Sequence, residues 1–231
     1  MRLHRFYINK PLGEELVVVE KELVHQWIHV FRYTVGDEVM LFSPHTAGED
    51  SVYRISSHTK TSVTLSKVTT QPHIIPPSNI TLVMAVVKKD TFETIARQAT
   101  ELGVTSIVPI LSARSEKKNL NMERLQAIVT EAAEQSGRGT VPTIEAICTF
   151  DKALQKTSAI TNIVASLRVQ AHSVSDTSTC ALWIGPEGGW TEEEEETFAE
   201  KGFISLRLTE TTLKADTAAV AALTSILATT W

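Results

Sequence analysis

Cysteine is almost absent from this chain. Among 231 residues there are two, Cys148 and Cys180. They lie too far apart for a metal-type spacing and read as a reduced pair of packing residues. The seven histidines are scattered, with no HExxH or similar cluster, so no metal site is expected. Long apolar runs are missing as well. None approaches the roughly 20 residues that a membrane helix needs, and the opening MRLHRFYINK has no hydrophobic core of a signal peptide. A cytoplasmic protein without membrane contact is expected. A positive excess is also lacking: the formal net charge is −5, which argues against a blanket nucleic-acid binder. The acidity is uneven, however. Residues 141–231 carry twelve acidic and six basic side chains, whereas residues 81–140 carry seven and eight. The first two thirds can therefore still present local basic patches.

What is present suits one large domain or two small ones, with 42% hydrophobic and 21% charged residues. The first 70 or so residues read as β-rich. ELVVVEKELV and DEVMLFS are short apolar runs between turn signals, and SVYRISS and TSVTLSKV alternate in period two. One helix is expected around Lys21 to Phe31, and a tight turn at Gly36. So many short strands suggest a small barrel over residues 1–72. TTQPHIIPPSN, with three prolines, reads as a linker.

From residue 73 onward the rhythm changes to alternating strands and helices. ITLVMAVV, VTSIVPIL, TIEAI, AITNIVAS, CALWIG and ISLRL are strand-like. DTFETIARQATEL places Phe92, Ile95, Ala96, Ala99 and Leu102 on one helical face; Asp90 and Glu93 have capping-box spacing, and Gly103 closes the helix. NMERLQAIVTEAAEQ is a second amphipathic helix. This alternation implies an α/β domain over 73–231, with a mostly parallel sheet covered on both faces. The closing helix, DTAAVAALTSILATTW, is small or apolar nearly all round. That points to burial on more than one side, within the monomer or at a subunit interface.

The segment IGPEGGWTEEEEE carries the chemistry. Gly185 stands at the carboxyl end of an apolar strand, where ligands bind in open α/β sheets. Pro186 fixes one dihedral, and Gly188 and Gly189 permit close backbone approach. Thr191 and Glu194 form a capping box, and the acidic first turn complements the helix dipole. A phosphate loop would want Lys and Ser/Thr after the glycines or an uncluttered helix start. The acidic exit instead favours a neutral or cationic ligand held by backbone groups. S-adenosylmethionine, a sulfonium without phosphate, fits; a plain structural turn is the alternative.

With ELGV (Glu101 to Val104), EAAEQSGR (Glu131 to Arg138) and DTAAVAAL (Asp216 to Leu223), the segment IGPEGGWTEEE resembles the bacterial 16S rRNA (uracil-N3)-methyltransferase family. That family is ribosomal RNA small subunit methyltransferase E, of the SPOUT superfamily. The likeness covers the whole chain, and MRLHRFYI and HVFRYTVGDEVMLF are similar to its N-terminal PUA-like barrel. The resemblance implies an RNA-binding PUA-like barrel at 1–72 and a SPOUT domain at 73–231. In that domain a C-terminal trefoil knot binds S-adenosylmethionine and pairs two copies as a homodimer. The implied cofactor pocket comprises Leu167, Ile184, Gly185, Glu187, Gly188, Gly189, Leu208, Thr209 and Leu213. Gly188→Val is then expected to abolish cofactor binding in a folded dimer. The implied substrate is a uridine of 16S rRNA in the small ribosomal subunit.

The last knot segment, LTETTLKADTAAVAAL, departs from the family's usual Leu-Gly-x-Arg-Ile-Leu-Arg-x-Glu-Thr-Ala. Thr209 stands for Gly, Thr211 and Lys214 for the two Arg, and Asp216 for Glu; Lys89 also replaces a usual Gly. Lysine keeps the charge without arginine's planar fork. Methyl transfer to N3 requires that the ring nitrogen lose its proton and that the resulting anion be stabilised. Asp216 is the candidate to accept or orient, or simply an N-cap. Lys214 and Arg138 are candidates for a uracil carbonyl or a phosphate. Arg2, Arg5, Arg32, Arg114, Lys117 and Lys118 are candidate RNA contacts, or solvated surface charge. The altered segment leaves a non-catalytic RNA-binding relative as the competing reading. An unrelated α/β nucleotide enzyme is disfavoured by the acidic exit.

Overall fold

Two compact units make up the chain, Met1–Ile75 with Ala133–Thr140, and Pro76–Ala132 with Val141–Trp231. The computed structural model describes residues 3–46, 48–115, 119–166 and 178–228. In the N-terminal unit the period-two apolar runs form β1 (Arg5–Tyr7), β2 (Glu15–Val18), β3 (Glu38–Phe42), β4 (Glu49–His58) and β5 (Val63–Pro72). They make one five-stranded sheet in the order β1-β3-β4-β5-β2. β1 runs parallel to β3, and the other pairs are antiparallel. Alternation puts Val39, Leu41, Tyr53, Ile55, Val63 and Leu65 in one core with Phe6 and Trp27. Trp27 arrives there from a short helix, α1 (Lys21–His25), that continues as a π-helical turn, Gln26–Val30. Two expectations change. ELVVVEKELV is a strand only to Val18, because the chain turns into α1. Thr69–Pro72, read as linker, is sheet: it pairs with β4, and Pro72 closes the strand where its missing N–H is tolerated.

The segment 133–140 belongs to this unit through buried polar contacts. Arg5 donates to both Asp50 carboxylate oxygens, at 2.8 and 3.0 Å. Its Nη1 donates to the carbonyls of Ala133 and Arg138, at 3.3 and 3.1 Å. Its guanidinium also lies 4.3 Å from the centre of the Phe42 ring. The Tyr7 N–H donates to Glu134 at 2.8 Å. Gly139 lets His73 press against the backbone: a Cβ there would fall 2.0 Å from the imidazole.

The second unit is a parallel sheet built from β6 (Asn79–Ala85), β7 (Ser106–Leu111), β8 (Thr143–Ile144), β9 (Cys148–Thr149), β10 (Thr161–Ala165), β11 (Thr179–Ile184) and β12 (Ile204–Leu206). Its order is β12-β10-β11-β6-β7-β8, with β9 also paired to β7. The helices are α2 (Lys89–Glu101), α3 (Met122–Ser136, of which the part up to Ala132 belongs to this unit), α4 (Phe150–Lys156), α5 (Glu192–Glu200) and α6 (Ala215–Leu227). Alternate strand residues face opposite layers. Leu82, Met84 and Leu182 pack with Phe92 and Ile95 of α2 and Leu223 and Ile226 of α6. Val83, Val108 and Trp183 pack with Ala153 of α4 and Phe198 of α5. This two-sided burial explains the continuous apolar strand runs. The capping box expected from Asp90 and Glu93 does not form. Lys88 is the N-cap without a side-chain bond, and Glu93 instead accepts from Arg124 at 2.7 Å.

Candidate functional site

The carboxyl ends of three parallel strands meet at one rim. Val164 of β10 is in register with Trp183 of β11, and Ala165 with Leu206 of β12. Beyond the rim lies a cavity of about 290 Å³, at the small end of ligand-site sizes. The turn after β11 forms one wall. The Gly189 N–H donates to the Pro186 carbonyl at 2.8 Å, and Gly189 takes φ +67°, a conformation that glycine adopts without strain. Gly185 permits a second close approach, since a Cβ there would lie 3.1 Å from the Trp190 ring. Trp190 is buried and packs edge-on to Phe198, with ring centres 5.0 Å apart. The turn therefore rests on the core of its own unit.

Arg114, exposed at the end of β7, ties this turn down. Its Nη1 donates to the carbonyls of Gly188 and Trp190, at 2.7 and 3.0 Å. A Cβ on Gly188 would meet the Arg114 stem at 3.3 Å. A valine there would therefore press on the Arg114 stem.

The five glutamates divide by environment. Glu192, Glu193 and Glu196 are exposed. Glu194 completes the capping box: it accepts from the Thr191 N–H at 2.9 Å while Thr191 Oγ1 accepts from the Glu194 N–H at 3.2 Å. Its other oxygen accepts from the Ala113 N–H at 2.9 Å. Glu195 lines the cavity. Ser166, just past β10, donates to one of its oxygens at 2.7 Å, and its other oxygen, Oε2, is buried with no hydrogen-bond partner. The Trp190 indole N–H is likewise buried and unpaired.

Opposite stand Leu208, Thr209, Thr211 to Leu213, and Ala215 and Ala218 of α6. Of the residues expected to hold a cofactor, Ile184, Gly185, Glu187, Gly188, Gly189, Leu208, Thr209 and Leu213 all line this one cavity. Leu167 lies outside the described residues, as do Arg2, Lys117 and Lys118. Glu195 and Ser166 escaped sequence reasoning. Neighbours in a run of identical residues carry no separate signal, and only the packing of α5 beside β10 singles one out.

The other sequence candidates fall in different settings. Lys214 is exposed and is the backbone N-cap of α6. Asp216 sits in that helix's first turn, accepting from the Thr217 N–H at 2.9 Å, so it is not the N-cap. Arg138 is buried in the N-terminal unit, where it donates to Thr140 at 3.1 Å. Burial lowers its guanidinium to about 10. Arg5 is no surface cation: its donors are consumed by Asp50 and two carbonyls. Arg32 is exposed, and among the described residues it is the one non-glycine in the left-handed region, at φ +58°. The described residues hold no group of three or more His, Cys, Asp or Glu arranged for a metal.

A family model for the RNA methyltransferase domain matches residues 75–227. The chain is 32% identical to ribosomal RNA small subunit methyltransferase E of Rickettsia conorii, over 98% of this chain and 96% of that protein. It is 31% identical to the protein of the same name from Aquifex aeolicus, over 94% and 96%. Among solved structures, it resembles ribosomal RNA small subunit methyltransferase E from Neisseria gonorrhoeae bound to S-adenosyl methionine. The TM-score is 0.88 and the identity 29%, with 98% of each chain covered. A cavity at the strand ends, walled by the glycine turn and by the segment before α6, therefore sits in a chain that belongs to the ribosomal RNA small subunit methyltransferase E family of RNA methyltransferases.

Proposed function

We propose that the chain binds S-adenosylmethionine in the cavity beyond β10, β11 and β12 and methylates N3 of a specific uridine in 16S rRNA. The observation that carries this reading is the lining itself. It leaves one buried acceptor, Glu195 Oε2, and one buried donor, Trp190 Nε1, without partners. Buried polar groups are normally satisfied, so the cavity suits a ligand that brings both kinds of group. A carboxylate in the lining disfavours phosphate and suits a sulfonium nucleoside. The likeness to a protein solved with S-adenosyl methionine points the same way. Leu208, Thr209 and Leu213 on one wall and Ile184, Gly185, Glu187, Gly188 and Gly189 on the other would hold the cofactor, which supplies an electrophilic methyl group when bound.

The chain's own part is to orient the base and manage one proton. Lys214 and Asp216 flank Ala215, a lining residue, at the start of α6. In this reading Asp216 orients or accepts the N3 proton and Lys214 faces charge developing on a uracil carbonyl. Arg138, buried with Thr140, is assigned instead to holding its own segment. The N-terminal unit acts as a PUA-like, RNA-binding barrel over 1–72, with Arg32 exposed toward solvent. Arg114 adds a positive charge on the domain at 73–231. The order β12-β10-β11, with α6 against β11, supports a SPOUT-type trefoil knot. The exposed side of α6 supports a homodimer.

The test is nucleoside mass spectrometry of 16S rRNA from cells lacking the gene. Loss of 3-methyluridine, restored by the wild-type gene and not by Asp216→Ala, is expected. Unchanged 3-methyluridine would leave the non-catalytic RNA-binding reading, which the Thr209 and Thr211 departures favour.

A further inference from the structure

We infer that Glu195 is a cofactor-binding residue, held by Ser166 so that its free oxygen accepts a hydrogen bond from the adenosyl part of the ligand. The inference rests on the S-adenosylmethionine reading. The acidic run begins as a dipole and capping device, and Glu194 performs that task with Thr191. Glu195 makes no cap. Its carboxyl faces Ser166 at 2.7 Å, at the rim where β10 ends, and it lines the cavity with Leu206. Among the described residues the cation of that lining is Arg114, and its Nη1 donates to the carbonyls of Gly188 and Trp190. Glu195 Oε2 is buried and unpartnered. A carboxylate oxygen in that position is costly, and a ligand hydroxyl or amine that reaches it recovers the loss. The ribose hydroxyls and the amino groups of the cofactor are donors of that kind. Ser166 acts as the positioning residue: it fixes one oxygen, and the other, closed to solvent as it stands, turns about that bond to meet a ligand donor.

Calorimetry on the full chain separates the possibilities. Wild-type protein should release heat with S-adenosylmethionine and with S-adenosylhomocysteine, which has the same hydroxyl and amino donors without the sulfonium charge. In Glu195→Gln the amide still offers Ser166 an acceptor but places an NH2 where the free oxygen stood. Both ligands should then bind about tenfold or more weakly, and Ser166→Ala should weaken both by less. Equal affinity in wild type and Glu195→Gln overturns the inference while leaving the cofactor reading standing. A loss confined to S-adenosylmethionine overturns it too, because charge rather than a hydrogen bond would then be the contact. No heat from wild-type protein removes the cofactor reading itself. Glu195→Leu guards against a folding artefact. Deleting an unpaired buried oxygen should leave the ligand-free unfolding temperature level or higher, while the rise caused by S-adenosylmethionine shrinks. A merely structural glutamate gives the reverse pattern.

Discussion

Tyr53 shows how a single buried polar group sets a pH limit. It is fully buried in the N-terminal sheet and donates its hydroxyl to the Gly13 carbonyl at 2.6 Å. Burial, with the nearby Glu14 carboxylate adding to it, pushes the phenol up to about 12 from 10.0. The folded state therefore keeps the proton where the unfolded chain releases it. This contribution to stability is complete below pH 10 and is lost as pH rises toward 12. Tyr53→Phe should cost about 1 kcal/mol near neutral pH through the lost hydrogen bond. In denaturant titrations the wild type's advantage should shrink from pH 10 upward. A constant difference across that range would show that the phenol does not titrate with unfolding.

At the scale of elements, α5 is the best-defined object near the site. Thr191→Ala removes one cap bond and should cost about 1 kcal/mol. Glu194→Ala should cost more, about 2 kcal/mol, because its buried carboxylate accepts from two N–H groups, those of Thr191 and Ala113. Urea unfolding of the two variants gives the order; equal costs would mean that the bond to Ala113 contributes nothing. This capping box was legible as Thr-x-x-Glu, since Thr191 and Glu194 are three residues apart and the signal is local. The Asp90 and Glu93 pair has the same spacing and no such bond. There the helix begins earlier, with Lys88 as its N-cap, so Asp90 already lies in the first turn and Glu93 accepts from Arg124, 31 positions away. Local spacing identifies a cap only when the helix also begins at that residue.

For the whole molecule, α6 carries two burdens. Ala219, Ala222, Leu223 and Ile226 are buried in the chain's own core, so the apolar composition is partly explained inside one subunit. Thr217 and Thr224 are exposed, and between them Val220 and Ala221 are half-buried. These four recur at helical spacing on one face, small enough for a second helix to approach. If that face pairs two copies, Thr217→Glu with Thr224→Glu should give a monomer by sedimentation, with the far-ultraviolet circular dichroism of a folded chain. A persistent dimer would place the interface elsewhere.

The alternation of strands and helices, the glycine turn and the cap at Thr191 were all present in residue order, because each depends on neighbours within a few positions. The cavity residues of the Ile184 to Gly189 turn were legible for the same reason: a glycine-rich turn at the end of an apolar strand can be read from the sequence alone. The fates of the charged residues were not. Arg5, by type a surface cation, became a buried partner of Asp50, 45 positions away. Arg114, a candidate phosphate contact, became the tie on the glycine turn. Five identical glutamates acquired three different environments. Periodicity and turn chemistry are short-range and survive in the sequence. The partner of a charge is chosen by which distant segments pack together and exclude water, and only the folded chain decides that.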